Sequence, residues 1–159
     1  MKTTITQVKE YLKSIGLDGR TEEFSVSSAT VALAAEALGT EECRIAKTLS
    51  FMTQNGPILI VMAGDVKIDN HKYKEAFGTK AKMLSFDEVE EITGYAVGGV
   101  CPFLAKEGVR VYLDRSLLRF DTVYPAAGTA SSAVRLTVEE LERASRAEGY
   151  VDVSRPINS

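Results

Sequence analysis

Histidine and cysteine are scarce in this chain of 159 residues, which has one histidine, two cysteines and no tryptophan. The single histidine, His71, lies among lysines, and nothing near it supports a Ser-His-Asp or Cys-His catalyst. No cluster of His, Cys and carboxylate residues has the spacing of metal ligands, and no Walker-type glycine signature is present. We therefore predict chemistry that uses no metal or cofactor and depends little on histidine.

Long apolar runs are also missing, since the longest, Ile58 to Ala63, is far shorter than the ~20 residues that span a bilayer. The first residues open into a helical pattern without an apolar leader, and the two cysteines lie far apart. We expect a cytoplasmic protein without disulfides or membrane contact. The net charge of −3 argues against broad clamping of a nucleic-acid backbone but allows a grip on one RNA end.

Helix and strand patterns alternate irregularly along the chain. Ile5, Val8, Leu12 and Ile15 recur at helical spacing, and a second helix is predicted from a cap at Ser27 or Ser28 to Gly39. Further helices are predicted over 70–77, 87–93 and 138–148, with capping boxes at 85–88 and 137–140. Strands are predicted over 22–26, 44–53, 57–63, 80–84, 109–113, 122–126 and 133–136, with an Asn-Gly hairpin at 55–56 and a frayed tail at the end. This order favours one α+β domain, 1–159, with a mixed, mostly antiparallel sheet.

Lys47 interrupts an apolar strand face. Alternation places Ile45, Lys47, Leu49 and Phe51 on one side of the strand, and three of these four residues are apolar. A lysine in this setting either extends its ammonium to water at a sheet edge or serves a pocket. The pattern alone leaves both interpretations open.

A glycine-rich loop follows at Gly98-Gly99-Val100-Cys101-Pro102-Phe103. Two glycines permit a close backbone approach, so the loop either directs free N–H groups at a ligand oxygen or forms a plain tight turn. Cys101 has no evident base partner for thiol chemistry.

Two further segments are candidates for binding. Small residues in Tyr124-Pro125-Ala126-Ala127-Gly128 make room for a packed helix or a ligand. Lysines between 67 and 82 form a local basic segment, which is either a solvated face or a contact for an RNA acceptor stem.

Taken in order, these segments resemble the YbaK/ProX family, which includes the editing domain inserted in some bacterial prolyl-tRNA synthetases. The resemblance covers nearly the whole chain, from Thr30-Val31 through the Lys47 strand, Gly64-Asp65 and the glycine loop to the 124–128 segment. The strand lysine followed about fifty residues later by a GxxxP loop is its most specific part.

The resemblance implies a curved, partly barrel-like sheet surrounded by helices, and hydrolysis of the ester that joins a wrong amino acid to tRNA. Such editing is needed because one methylene changes binding in a synthetase pocket by only ~1–3 kcal/mol. In this family the lysine orients the substrate end, the GxxxP backbone holds the ester near the terminal adenosine, and the ribose hydroxyl of the substrate helps to activate water.

Carried onto this chain, the resemblance makes Lys47 the catalytic residue. It implies substrate contacts from Gly98, Gly99, Val100, Cys101, Pro102, Ala126, Ala127, Gly128, Thr30 and Phe24, and RNA contacts from Lys67, Lys72 and Lys74. Alanine stands at 126, where well-known YbaK members have a nearby serine used for Cys-tRNA. This difference favours alanine on proline tRNA as the substrate, with cysteine or serine as alternatives, and prolyl-tRNA synthetase as a possible partner.

Two other functions fit the same residues. One is a non-catalytic module that binds tRNA or a synthetase, although such a module needs neither Lys47 nor the glycine loop. The other is a hydrolase of free small esters or amides, which the acidic pI of 5.3 favours and the basic segment opposes.

Overall fold

The computed structural model of the protein describes residues 2–158. Within this range the helices are α1 (Ile5–Ser14), α2 (Val31–Leu38), α3 (Asn70–Phe77), α4 (Phe86–Thr93) and α5 (Val138–Ser145). The strands are β1 (Thr21–Glu23), β2 (Ile45–Thr53), β3 (Gly56–Ala63), β4 (Val66–Ile68), β5 (Arg110–Asp114), β6 (Thr122–Pro125), β7 (Ser132–Val134), β8 (Leu136–Thr137), β9 (Gly149–Val151) and β10 (Ser154–Pro156). Short 3-10 helices at Glu42–Arg44 and Arg115–Arg119 precede β2 and follow β5.

Side-chain caps at the helix starts confirm the local sequence signals. Ser85 and Thr137 each accept a hydrogen bond from the backbone N–H three residues on, while Glu88 and Glu140 bond back to the cap N–H. Each pair satisfies two N–H groups that the helix itself leaves unpaired. Helix α3 has the predicted bounds, whereas α5 ends at Ser145, before the predicted end near 148.

The predicted cap of α2 at Ser27 or Ser28 is wrong, because Thr30 occupies that position. Thr30 Oγ1 accepts a hydrogen bond from the Leu33 N–H at 3.1 Å. The Ser28 N–H instead donates to the Ala130 carbonyl at 2.6 Å, so this segment runs beside a distant loop before the helix begins. Ser27, Ser28 and Thr30 all have hydroxyl side chains that favour the N-cap position. The long-range hydrogen bond of Ser28 decides which of them caps the helix.

The central sheet has the strand order β8-β6-β2-β3-β5-β9 and is strongly curled. Strands β2 and β3 form the predicted antiparallel hairpin, with Thr53 opposite Gly56. Strand β2 is parallel to β6, β3 is parallel to β5, and β5 is parallel to β9. Two small antiparallel sheets pair β1 with β7 and β4 with β10. Four of the seven pairings within residues 2–158 are antiparallel, and the mixed α+β class is confirmed.

Strand β3 lies in the middle of the core. Its residues from Leu59 to Ala63 are at most 1% exposed, as expected for a continuous apolar run that is covered on both faces. Helix α1 contributes Val8 and Leu12 to the same core, and α5 contributes Leu141. No helix between residues 2 and 158 has the length and apolar character needed to cross a membrane.

Residues near the end of the chain form strands β9 and β10, so the predicted frayed tail is wrong as far as Pro156. Ser159 lies outside the described residues. The buried carboxylate of Asp114, at the end of β5, accepts hydrogen bonds from the Val153 N–H at 2.9 Å, the Ser154 hydroxyl at 2.6 Å and the Ser116 N–H at 3.0 Å. Three donors satisfy a carboxylate that would otherwise be costly to bury. The predicted strand at 80–84 is reduced to one bridge, between Met83 and Phe51.

Candidate active site

A cavity of about 540 Å³ opens between β2, the start of α2, the glycine loop and the segment before α4. This volume falls in the range of small-molecule sites. The cavity wall is largely apolar, with a few polar groups that include Lys47, Thr48 and Ser132. Among the predicted site residues, the wall includes Lys47, Thr30, Gly98, Val100 and Ala126.

Lys47 is half-buried on β2. Its ammonium nitrogen donates to the Val66 carbonyl at 2.5 Å and lies 3.5 Å from the Gly64 carbonyl. Burial lowers the pKa of Lys47, and the nearby negative charge of Asp65 opposes this shift. An ammonium has three N–H donors, and the two carbonyls occupy two of them. One N–H of Lys47 is therefore left for another acceptor.

Asp65 is held by Arg119, the last residue of the 3-10 helix that follows β5. Arg119 contacts it through two nitrogens, with N–O distances of 3.0 and 2.6 Å. The hydrogen bond from Arg119 lowers the pKa of Asp65, so the carboxylate stays charged. No ion pair within residues 2–158 joins Lys47 directly to a carboxylate, and the Asp65 charge therefore acts on Lys47 only through space.

The glycine loop lies tightly against two neighbouring segments. Gly98 has a φ of +92°, and a Cβ added there would lie 3.1 Å from Ala29 Cβ. At Gly99 an added Cβ would lie 2.8 Å from Thr129 Cα, which belongs to the backbone and cannot rotate away. The two glycines therefore let the loop pack closely enough to bring Gly98 and Val100 to the cavity wall.

Cys101 does not reach the cavity. It is fully buried beneath the loop, and this burial raises the pKa of its thiol to about 12. A thiol with that pKa stays protonated at neutral pH and is a poor nucleophile. Pro102 is buried beside it, and the Tyr95 hydroxyl donates to the Phe103 carbonyl at 2.5 Å, which fixes the end of the loop.

The small residues after β6 face in different directions. Ala126 lines the cavity, whereas Ala127 is fully buried behind it. The Ala127 N–H donates to Ser132 Oγ at 3.2 Å, and this hydroxyl lies 2.8 Å from Thr129 Oγ1. These contacts hold the turn that carries Ala126.

Several predicted contact residues lie away from the cavity wall. Phe24, Gly99, Ala127 and Gly128 are not part of the wall, and the Phe24 N–H donates to the Ser131 carbonyl at 2.8 Å. The predicted RNA-contact lysines, 67, 72 and 74, lie on β4 and α3, where Lys72 Nζ contacts Asp152 at 3.2 Å and the Ser154 carbonyl at 2.9 Å. Their roles stay predictions.

His71 is exposed on α3 and lies 3.0 Å from a Glu75 carboxylate oxygen. This is the solvated surface position that its lysine-rich surroundings suggest. Between residues 2 and 158, no three His, Cys, Asp or Glu side chains come together as a possible metal site.

Sequence reasoning missed the rim of the cavity and several wall residues, including Thr48 and Ser132. Met83, Phe86 and Val97 line the mouth and are 56%, 78% and 49% exposed. Thr48, beside Lys47, has a buried hydroxyl without a hydrogen-bond partner in the described part of the chain. The only available signal for Thr48 was its position next to Lys47. The rim residues carried no periodic signal, because they come from a loop, a helix start and an irregular segment.

Comparison with known families agrees with this geometry, since the model of the aminoacyl-tRNA editing domain matches residues 26–144. The chain belongs to this family. The match includes β2 with Lys47, the glycine loop and the 124–128 segment, so the resemblance seen in the sequence is confirmed.

Two relatives and one solved structure that are similar to this aminoacyl-tRNA editing domain cover most of its length. It is 46% identical over 153 residues to the uncharacterised protein YwhH of Bacillus subtilis, covering 96% of this chain and 98% of the relative. It is 32% identical over 109 residues to EbsC of Enterococcus faecalis, a proposed Cys-tRNA(Pro)/Cys-tRNA(Cys) deacylase, covering 67% and 66%. A crystal structure of a proposed trans-editing enzyme for prolyl tRNA synthetase superimposes with a TM-score of 0.86 at 29% identity, covering 98% and 99%. The curled α+β fold is therefore shared with that protein.

Proposed function

We propose that the chain, as one domain over 1–159, is a trans-editing deacylase that removes a small non-cognate amino acid from proline tRNA. The observation that carries this proposal is Lys47, whose ammonium is held by two carbonyls at the wall of a largely apolar cavity. The similarity to a proposed trans-editing enzyme for prolyl tRNA synthetase supports the choice of tRNA and of synthetase partner.

Lys47 acts as a fixed positive charge. Its two carbonyl contacts orient the ammonium so that the remaining N–H points to substrate, and in a half-buried site this charge interacts more strongly than it would in water. It stabilises the oxyanion that forms when water attacks the ester carbonyl. The bond to the ribose oxygen then breaks, that oxygen takes a proton, and free amino acid leaves the tRNA. The neighbouring ribose hydroxyl, not a protein base, assists the attacking water.

Ala126 sets the polarity of the acyl site. It offers no hydroxyl or thiol partner to a substrate side chain, which favours alanine over cysteine or serine. Within the 98–102 loop, Gly98 and Val100 reach the cavity wall and hold the terminal adenosine, and Lys67, Lys72 and Lys74 contact tRNA phosphates.

The test is single-turnover deacylation of proline tRNA charged with alanine, cysteine, serine or proline. We expect rapid loss of alanine, retention of proline, and about a hundredfold or greater slowing with Lys47→Ala. Lys13→Ala, an exposed position on α1, is the matched control and should match wild type. Activity should survive dialysis against EDTA. Survival of every ester at micromolar enzyme would overturn the proposal.

A further inference from the structure

Three largely exposed apolar side chains line the mouth of the Lys47 cavity. Met83, Phe86 and Val97 are 56%, 78% and 49% exposed, yet each forms part of the cavity wall. They come from different segments, since Met83 precedes α4, Phe86 is its first residue and Val97 precedes the glycine loop. Apolar groups gathered from three segments at one opening are a mark of a binding surface.

Phe86 is the most exposed of these residues, and its exposure is not required by the helix. The start of α4 is fixed by the Ser85–Glu88 capping box, in which the position-86 side chain takes no part. A polar residue would serve equally well there for folding. An aromatic ring held at a rigid helix start beside a cavity suits stacking, because a planar partner can cover the ring without any rearrangement of the protein.

We propose that Phe86, with Met83 and Val97, forms a stacking surface for an unpaired nucleobase at the 3′ end of the tRNA. This inference rests on the proposed function, because that function places the ester at Lys47 and so places the last nucleotides at the cavity mouth. Aromatic side chains bind unpaired bases by stacking, and this mode tolerates any base.

The charges around the rim fit a nucleotide better than an apolar protein segment. Lys80 and Lys82 are exposed in the segment that carries Met83, and neither forms an ion pair within residues 2–158. They can meet the phosphates that accompany the stacked base. The two acids in the first turn of α4 are Asp87 and Glu88. Glu88 is engaged by the Ser85 N–H at 2.9 Å, and Asp87 is exposed and free to turn to solvent.

The first measurement uses a proline-tRNA acceptor-stem minihelix with 2-aminopurine as its terminal base, whose fluorescence falls when it stacks. Wild-type protein should quench the signal on titration. Phe86→Ala should weaken binding about tenfold and remove most of the quenching. Phe86→Trp should restore both, whereas Phe86→Leu should restore neither fully, because it retains apolar area without a ring.

The second measurement separates this inference from the proposed function. In single-turnover deacylation, Phe86→Ala should raise the half-saturating enzyme concentration about tenfold, while Lys47→Ala lowers the rate at saturation. Leu118→Ala is the control, since Leu118 is 51% exposed but lies outside the cavity wall, and it should match wild type in both assays.

The outcomes are distinct. If wild type deacylates, Lys47→Ala does not and Phe86→Ala equals wild type in both assays, the stacking surface is refuted and the proposed function stands. If no substrate is deacylated but quenching depends on Phe86, the proposed function fails while the nucleobase site survives. Equal loss of quenching in Leu118→Ala would refute a specific role for the rim.

Discussion

Replacement of Gly64 by alanine is the sharpest structural test of how the Lys47 site is built. Gly64 follows β3, and its carbonyl is one of the two that lie against the Lys47 ammonium. A Cβ added at Gly64 would lie 2.1 Å from the Glu42 carbonyl oxygen and 2.7 Å from Val31 Cγ1. Real Cβ contacts essentially never fall below 3.0 Å, so the backbone near residue 42 or 64 must move by about 1 Å.

The cost can be estimated from this geometry. Overpacking a tight site by one carbon costs ~1–3 kcal/mol, and the upper end applies here because a backbone carbonyl cannot rotate aside as a side chain does. A loss of ~3 kcal/mol corresponds to a fall in Tm of roughly 6–12 °C for a chain of this size. Because the same movement shifts a carbonyl that orients Lys47, we also expect the deacylation rate to fall.

The assay is urea unfolding of Gly64→Ala beside Gly149→Ala. Gly149 begins β9, and an added Cβ there would meet nothing within 4 Å, so this control should be neutral or slightly stabilising. If the unfolding free energy of Gly64→Ala stays within ~0.5 kcal/mol of wild type, the close approach of Gly64 to residue 42 is refuted as a constraint on the site.

Three further predictions concern contacts that stabilise the fold. The Arg20 guanidinium lowers the pKa of Glu140 to about 2, so this pair stabilises the fold above the ordinary pKa of 4.5 and the contribution is lost as pH falls towards 2. At neutral pH Glu140→Gln should cost ~1 kcal/mol of unfolding free energy. Thr30→Ala should cost ~1 kcal/mol by removing the cap that accepts the Leu33 N–H. Asp114→Ala should cost ~3 kcal/mol or more, because three donors lose their acceptor.

Controls for these predictions use the same positions. The Glu140 effect should shrink at pH 2.5, where wild type has already lost most of it, and an undiminished effect would contradict an electrostatic origin. Thr30→Ser should restore stability, and its failure would contradict the capping role. After Asp114→Ala, amide hydrogen exchange should rise first in β10, and unchanged protection there would refute Asp114 as the anchor of that strand.

Local chemistry made the helices predictable, while long-range pairing did not reveal itself in the sequence. Ser85 and Thr137 predict the starts of α4 and α5 because both residues of each capping box lie within a stretch of four residues. The position of β10 depends on the hydrogen bond from Ser154 to Asp114, which lies 40 positions earlier in the chain. No local sequence pattern predicts a hydrogen bond over that separation. The parallel pairing of β3 with β5 is likewise set by closure of the whole sheet.

The candidate site was only partly predictable from the sequence, because it too is assembled from segments that are distant in the chain. Lys47 stood out because a charge interrupted an apolar alternation, and the glycine loop stood out by composition. Phe86 and Met83 were not visible, since an exposed apolar residue has meaning only when a cavity is known to lie beside it. The family resemblance included Cys101 and Ala127 among the substrate contacts, yet their side chains are buried in the core.

The parallel register between β2 and β6 has a consequence for how the chain folds. Ile45 pairs with Tyr124, which lies 79 positions later (124 − 45), whereas the β2–β3 hairpin joins neighbours. Non-local pairings close large loops and slow folding. We expect the β2–β3 hairpin, which carries Lys47, to form early and the β2–β6 pairing, which positions Ala126, to form late. Lys47 is then exposed in the folding chain before the cavity around it exists.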